Sequence, residues 1–350
     1  MMPSIETIRA ECETIRNTVI EFYEKHNGYI NRAYELAKSF KNFDRLNPCV
    51  VCSPNEIPFN EDNKPILIIT ANENEKSIFL YYVSFYMSDL SIPHHLRITN
   101  LYKYQNQTNE FLVFCWFKYR IYYCPLPEYG DETTRRAIVD AKREFSRISS
   151  ILLLGICYGM DHTKLQLGDV LVSECIRGYR VNFRDREGTY DKIDVQVKEK
   201  SYYRHSISTD LRDSIRHRIS GMNFSCKLLR MSEEENSPSF IAQMGNIASA
   251  DHIISCYPIK YKIINDLERG DDFIGGEMEA TGIFKAFSAY SDENKPDWVV
   301  IKSICDWGVI KNFPLGTKID PEILKNSLQA YAMMNTMELF VTLLDMSVWG

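Results

Sequence analysis

At the start of the chain, apolar residues recur at alternating three- and four-residue steps: Ile5, Ile8, Cys12, Ile15, Val19 and Phe22. That spacing sets them on one helical face, as an a/d seam three heptads long. Ser4 can cap the start of such a helix, and Asn27-Gly28 can end it. Ile30, Ala33, Tyr34, Ala37 and Phe40 then repeat the helical period. The pattern predicts an amphipathic hairpin packed on its own body. The alternative is an element that docks or dimerises with another chain. Pro54 to Pro65 is polar and turn-rich and reads as a boundary. It divides an N-terminal helical extension, 1–62, from a main domain, 63–350.

Beyond the boundary the period changes. Ile66 to Thr70 is a short buried strand, and residues 111–124 hold two β-rich runs around Lys118-Tyr119, a hairpin. Residues 131–147 read as a helix, through Ala137, Val139, Ala141 and Phe145. Ile151–Ile156, Asp169–Ile176 and Trp298–Ile304 are apolar enough for central strands. A last helix starts near Pro321, with Leu324, Leu328 and Tyr331 on one stripe. Strands alternating with helices predict an α/β fold: a mixed, mostly parallel central sheet covered by helices.

Composition narrows the class. The chain has 350 residues, 45% of them hydrophobic and 25% charged, which excludes wholesale disorder. A chain this long builds a core without disulfides or metal. The net charge of −6 argues against a general nucleic-acid coat. No apolar run approaches the roughly 18 residues of a membrane span, and the N-terminus has acids where a signal peptide has an apolar stretch. Ten scattered cysteines read as reduced thiols of a cytoplasmic protein. Cys49 and Cys52 form a lone CxxC with no second pair, so no metal or cofactor is expected.

Four segments put glycine or acid at strand ends, where open α/β sheets bind ligands. They are Ala71–Glu75, Gly155–Gly159, Gly276–Thr281 and Ser303–Gly308. Glu277 and Glu279 are expected to open a helix with Ala280, Ile283, Phe284 and Phe287 on its apolar face. As first-turn acids they also suit a purely dipolar role. Asp306 ends an apolar strand, so desolvation is expected to raise its pKa; its alternative is a helix N-cap. Glu75 reads as an acid of a helix N-terminus. Gly155 and Gly159 let backbone amides approach a ligand.

Together the four segments resemble the purine nucleoside phosphorylase/uridine phosphorylase superfamily, in its methylthioadenosine/S-adenosylhomocysteine nucleosidase branch. Glu277-Met278-Glu279-Ala280-Thr281 looks like that branch's EMEA(A/T) ribose motif, and Lys302–Asp306 is similar to its R-x-I-S-D strand end. Gly245–Ile254 is similar to its G-x-I-x-S-G-D-x-F-I segment, and Leu167–Val172 to its K-x-G-D-V-V-V strand. The matches run in family order over about residues 63–345.

The resemblance implies roles. Glu279 would hold the ribose hydroxyls, with Glu277 beside it and Met278 under the sugar. Asp306 would protonate the purine at N7, which favours 6-aminopurines. Glu75 would activate the attacking water. Ile253 and Ile254 would flank the base, although the family has an aromatic at Ile253. Cys157 and bulky Tyr158 stand in the family's small-residue loop. Lys302 replaces an Arg and Cys305 a Ser. No early Gly-Asp-Pro-x-Arg and no loop Ser/Thr for inorganic phosphate is present, which favours water over phosphate as nucleophile.

Residues 177–205 carry Arg177, Arg180, Arg184, Arg186 and Arg204. Arginines suit phosphates; the interleaved acids equally suit a solvated hairpin. The overall pattern looks like nucleosidase domains that serve as antiphage effectors, some of which cleave adenine from ATP. The expectation is an adenine nucleosidase acting on a nucleotide, ATP foremost, as a defence effector. Its partners would be a small purine substrate, further copies of itself and a regulator at the N-terminal helices, with neither membrane nor nucleic acid. The alternatives are a salvage nucleosidase or phosphorylase, and a non-catalytic nucleoside sensor.

Overall fold

The computed structural model describes residues 4–58, 63–89, 91–145, 147–185, 193–230, 238–250, 257–267, 272–288, 290, 295–308 and 320–349. Helix α1 (Ile5–Ser39) opens the chain, and the Ser4 side chain accepts the Thr7 amide at its start. The helical backbone is broken at His26 (φ −121°, ψ 15°), one residue before Asn27-Gly28, and a second helical segment continues across that kink instead of folding back. The expected hairpin is therefore one bent helix. Its inner face buries Ile15, Tyr23, Ile30, Ala33 and Ala37 against the body, and Phe22 meets Tyr331 edge-on at 5.9 Å. Each large apolar side chain so buried contributes about 1.5–3 kcal/mol.

Strand β1 (Cys49–Val51) follows and pairs in parallel with a later strand, so residues ahead of the expected boundary join the sheet. Next come β2 (Lys64–Thr70), α2 (Glu73–Ser88) and β3 (Thr99–Gln105). The expected hairpin is β4 (Glu110–Trp116) with β5 (Tyr119–Pro125). Helix α3 (Asp131–Glu144) leads into β6 (Ser150–Gly159) and β7 (Val170–Asp185). The chain continues through β8 (Ile193–Ser206), α4 (Thr209–Ile219), β9 (Asn223–Ser225) and β10 (Ser239–Ser249). It ends with α5 (Tyr257–Asp266), β11 (Phe273–Glu277), α6 (Thr281–Phe287), β12 (Asp297–Asp306) and α7 (Pro321–Asp345).

The described strands form one mixed sheet in the order β1-β3-β4-β5-β2-β6-β11-β10-β7-β12. Because β12 also pairs with β6, the last five strands of that order close on themselves. Strands β5, β2, β6 and β12 are mutually parallel neighbours, so their C-terminal ends share one edge. Their cores (Ile66–Ile69, Ile151–Leu154 and Val299–Ile301) are almost wholly buried, as strands covered on both faces must be. Helix α7 is buried nearly all round rather than on one stripe. It lies between α1 and the sheet strands β6 and β12. No helix among the described residues is long and apolar enough to cross a membrane.

Candidate active site

At the shared C-terminal edge of β2, β6 and β12 the chain leaves a cleft of about 280 Å³. Seven of the expected residues line it: Glu75, Cys157, Tyr158, Glu277, Met278, Glu279 and Asp306. They come from four segments far apart in sequence, and the strand register brings them together.

Glu75 sits in the first turn of α2, where the Asn72 side chain accepts its amide at 2.9 Å and completes a capping box. Its carboxylate accepts the amides of Ala71, Asn72 and Ile156, the last at 2.9 Å across to β6. Burial pushes the Glu75 carboxyl up to about 7. Lys302 and the backbone donors oppose that rise and Glu279 adds to it. A buried acid titrating near neutrality is suited to proton transfer.

Lys302 lies under the cleft, 2% exposed, between two carboxylates. Its Nζ is 3.2 Å from Glu277 Oε2 and donates to Glu279 Oε2. Burial alone would lower its pKa, but Glu279, Glu277 and Glu75 outweigh burial and hold it charged. Glu277 and Glu279 do not open a helix as expected. Glu277 ends β11, and α6 starts only at Thr281. The Glu277 carboxylate accepts the amides of Glu279 (2.8 Å) and Ala280 (3.0 Å), fixing the turn between them. Burial raises its pKa, with Lys302 opposing. Glu277, Met278 and Glu279 all line the cleft, and the Glu279 carboxylate accepts from Lys302 and from the Met278 amide at 3.4 Å.

Asp306 closes β12 and is half-buried. Its Oδ1 accepts the Gly308 amide at 2.7 Å. Cys157 and Tyr158 form no loop; they continue β6 to Gly159. The Tyr158 hydroxyl occupies the space that a Cβ on Gly276 would need, so glycine there admits the large ring. Lys302 itself stands behind the lining, on strand β12.

Arg177 is elsewhere. It is 2% exposed, lies on the Phe273 ring at 4.7 Å, and borders a separate cleft with Arg204 and Asp272. The hairpin of residues 177–205 is real, as β7 with β8, but its tip is not among the described residues. Ile253 and Ile254 also lie outside the described residues. The structure adds Asn72, Tyr129, Lys325 and Gln329 to the cleft. Asn72 carried the signal of an N-cap residue three before a Glu. Lone residues such as Lys325, on the first turns of α7, carry no sequence signal.

No protein-family model matches the chain. The death domain-containing ATP nucleosidase of Amphimedon queenslandica is 26% identical over 169 residues, which are 45% of this chain and 28% of that protein. The chain therefore spans little more than a quarter of the curated relative it matches. Among solved structures, a methylthioadenosine/S-adenosylhomocysteine nucleosidase of Colwellia psychrerythraea 34H in complex with adenine aligns with a TM-score of 0.53 at 17% identity, covering 81% of this chain and 95% of that one. The futalosine hydrolase of Helicobacter pylori aligns with a TM-score of 0.55 at 12% identity, covering 81% and 98%. The methylthioadenosine/S-adenosylhomocysteine nucleosidase of the same organism aligns at 0.55 and 13%, covering 82% and 100%. The chain has the fold of these nucleosidases and of this hydrolase.

Proposed function

We propose that the protein is an N-glycosyl hydrolase that releases adenine from an adenine nucleotide, ATP foremost. The observation that carries this reading is the meeting of Glu75, Glu279 and Asp306 in one cleft, on separate strand ends. N-glycoside cleavage builds positive charge on the sugar and negative charge on the base, as glycoside cleavage does generally. It needs an acid at the base and a water activator at the sugar. In this reading Glu279 accepts the ribose hydroxyls by charge-assisted hydrogen bonds. Asp306 passes a proton to N7, and the C1′–N9 bond breaks with its electron pair going to the base. Glu75 takes a proton from water, whose oxygen bonds to C1′. The products are adenine and ribose 5′-triphosphate.

A nucleotide is favoured over methylthioadenosine by Lys325, the one cation among the described lining residues, and by the name of the Amphimedon relative. Depletion of ATP would serve a defence effector, which is the role we assign. The salvage reading is favoured by the fold match to methylthioadenosine nucleosidases and is decided by the same assay. The purified protein is incubated with ATP, AMP, adenosine and methylthioadenosine, with and without phosphate, beside Asp306→Asn. Adenine from ATP without phosphate, lost in the variant at unchanged melting temperature, is the expected result. Adenine from methylthioadenosine alone would make it a salvage enzyme. Full turnover in Asp306→Asn would overturn the assignment of the acid.

A further inference from the structure

Strand β12 reaches Asp306 through an irregularity. Its parallel register to β6 pairs Ile304 with Cys157, then Asp306 with Tyr158, skipping one residue between. Such a bulge re-aims the side chains beside it and ends regular pairing. The ladder alone therefore does not fix the direction of Asp306, and the carbonyls just past it have no next rung.

Lys260, on α5, fills that place. It is 4% exposed. Its ammonium donates to Gly159 O at 3.1 Å and to Trp307 O at 2.9 Å. Those carbonyls belong to the residues that follow Tyr158 and Asp306, the last register pair of the two strands. The indole of Trp307 lies 5.9 Å from the same nitrogen. Burial lowers the Lys260 pKa to about 8, with Asp306, Glu11 and Asp161 pulling it back up. A lysine is not buried so deeply without partners that need it.

We infer that Lys260 is a positioning residue: it staples the ends of β6 and β12 beyond the bulge and so holds Asp306 at the angle the reaction needs. It touches no substrate. Its place in catalysis rests on the adenine-releasing function proposed above, while the staple itself does not.

The test uses Lys260→Met, which keeps the length and removes the donors, and Lys260→Arg, which keeps them. The Gly308 amide is bound to the Asp306 carboxylate, so its hydrogen exchange reports where that carboxylate is, without any substrate. In Lys260→Met, exchange at Gly308 is expected to speed up by about tenfold or more, with Val299–Ile301 unchanged. Adenine release is expected to lose about tenfold or more in kcat with KM little changed, and Lys260→Arg to recover part of both. Should Lys260→Met fail to fold, Lys260→Gln, with one donor group left, takes its place. Wild-type exchange at Gly308 in the folded variant would overturn the inference, whatever its activity. If the wild-type protein released no adenine from any substrate, the proposed function would fall, and exchange at Gly308 would still decide the role of Lys260.

Discussion

Gly155 and Glu75 are fitted to one another: the Glu75 carboxylate fills the space that a Cβ on Gly155 would take. Only a residue without a side chain lets the acid lie against β6 and accept the Ile156 amide.

Gly155→Ala should therefore push Glu75 off its donors. Overpacking of this kind costs about 1–3 kcal/mol, and the displaced acid should lower adenine release by about a hundredfold. Unfolding in urea and single-turnover assays read the two effects separately. Wild-type turnover in the alanine variant would show that Glu75 does not act from this position.

Glu75 also sets a pH dependence. In the proposed reaction water activation needs its carboxylate, so turnover should rise with pH through about 7. Stability runs the other way. The folded pKa lies above the ordinary glutamate value of about 4.3, so the folded state binds the extra proton. That contribution is full below the ordinary value and is lost as pH rises through about 7. Glu75→Gln cannot ionise, so its melting temperature relative to wild type should climb between pH 5 and pH 8. A constant difference would place the titration elsewhere.

Lys302→Met should destabilise the fold by about 3–5 kcal/mol, because it leaves Glu277 and Glu279 buried without their cation. Protonating both acids relieves the loss, so the deficit should shrink at low pH. A denaturation series across pH checks it, and a deficit that grows on acidification would contradict the charged cluster.

Lys325→Glu should separate nucleotide from nucleoside. The residue is exposed on α7 at the mouth of the cleft. Reversing its charge should raise KM for ATP by about tenfold at low salt, less at high salt, and leave adenosine almost untouched. An equal change for both substrates would remove Lys325 from phosphate recognition.

Much of this was legible in the chain. The runs Ile66–Thr70, Ile151–Ile156 and Trp298–Ile304 announce buried parallel strands, because such strands are apolar on both faces. The acids at their ends follow from where parallel sheets bind ligands. The rest depends on partners distant in sequence. Cys157 and Tyr158 read as part of a loop until Gly276, on another strand, is seen to admit the Tyr158 ring. Arg177 reads as a phosphate ligand because a run of arginines does not say which cleft it faces. Lys260 and Lys325 are single lysines on helices, and only the topology brings them to the strand ends. Asn27-Gly28 reads as a helix stop; the structure breaks the helix one residue earlier, at His26, as a kink between two helical segments and not as a reversal of the chain.

The buried quartet has one more consequence. Glu75, Glu277 and Glu279 all act on a single ammonium, that of Lys302, at the floor of the cleft, while the exposed cation Lys325 stands at its mouth. The cleft is polarised from end to end. In the proposed reaction that arrangement would turn a nucleotide with its phosphates toward Lys325 and its sugar toward Glu279.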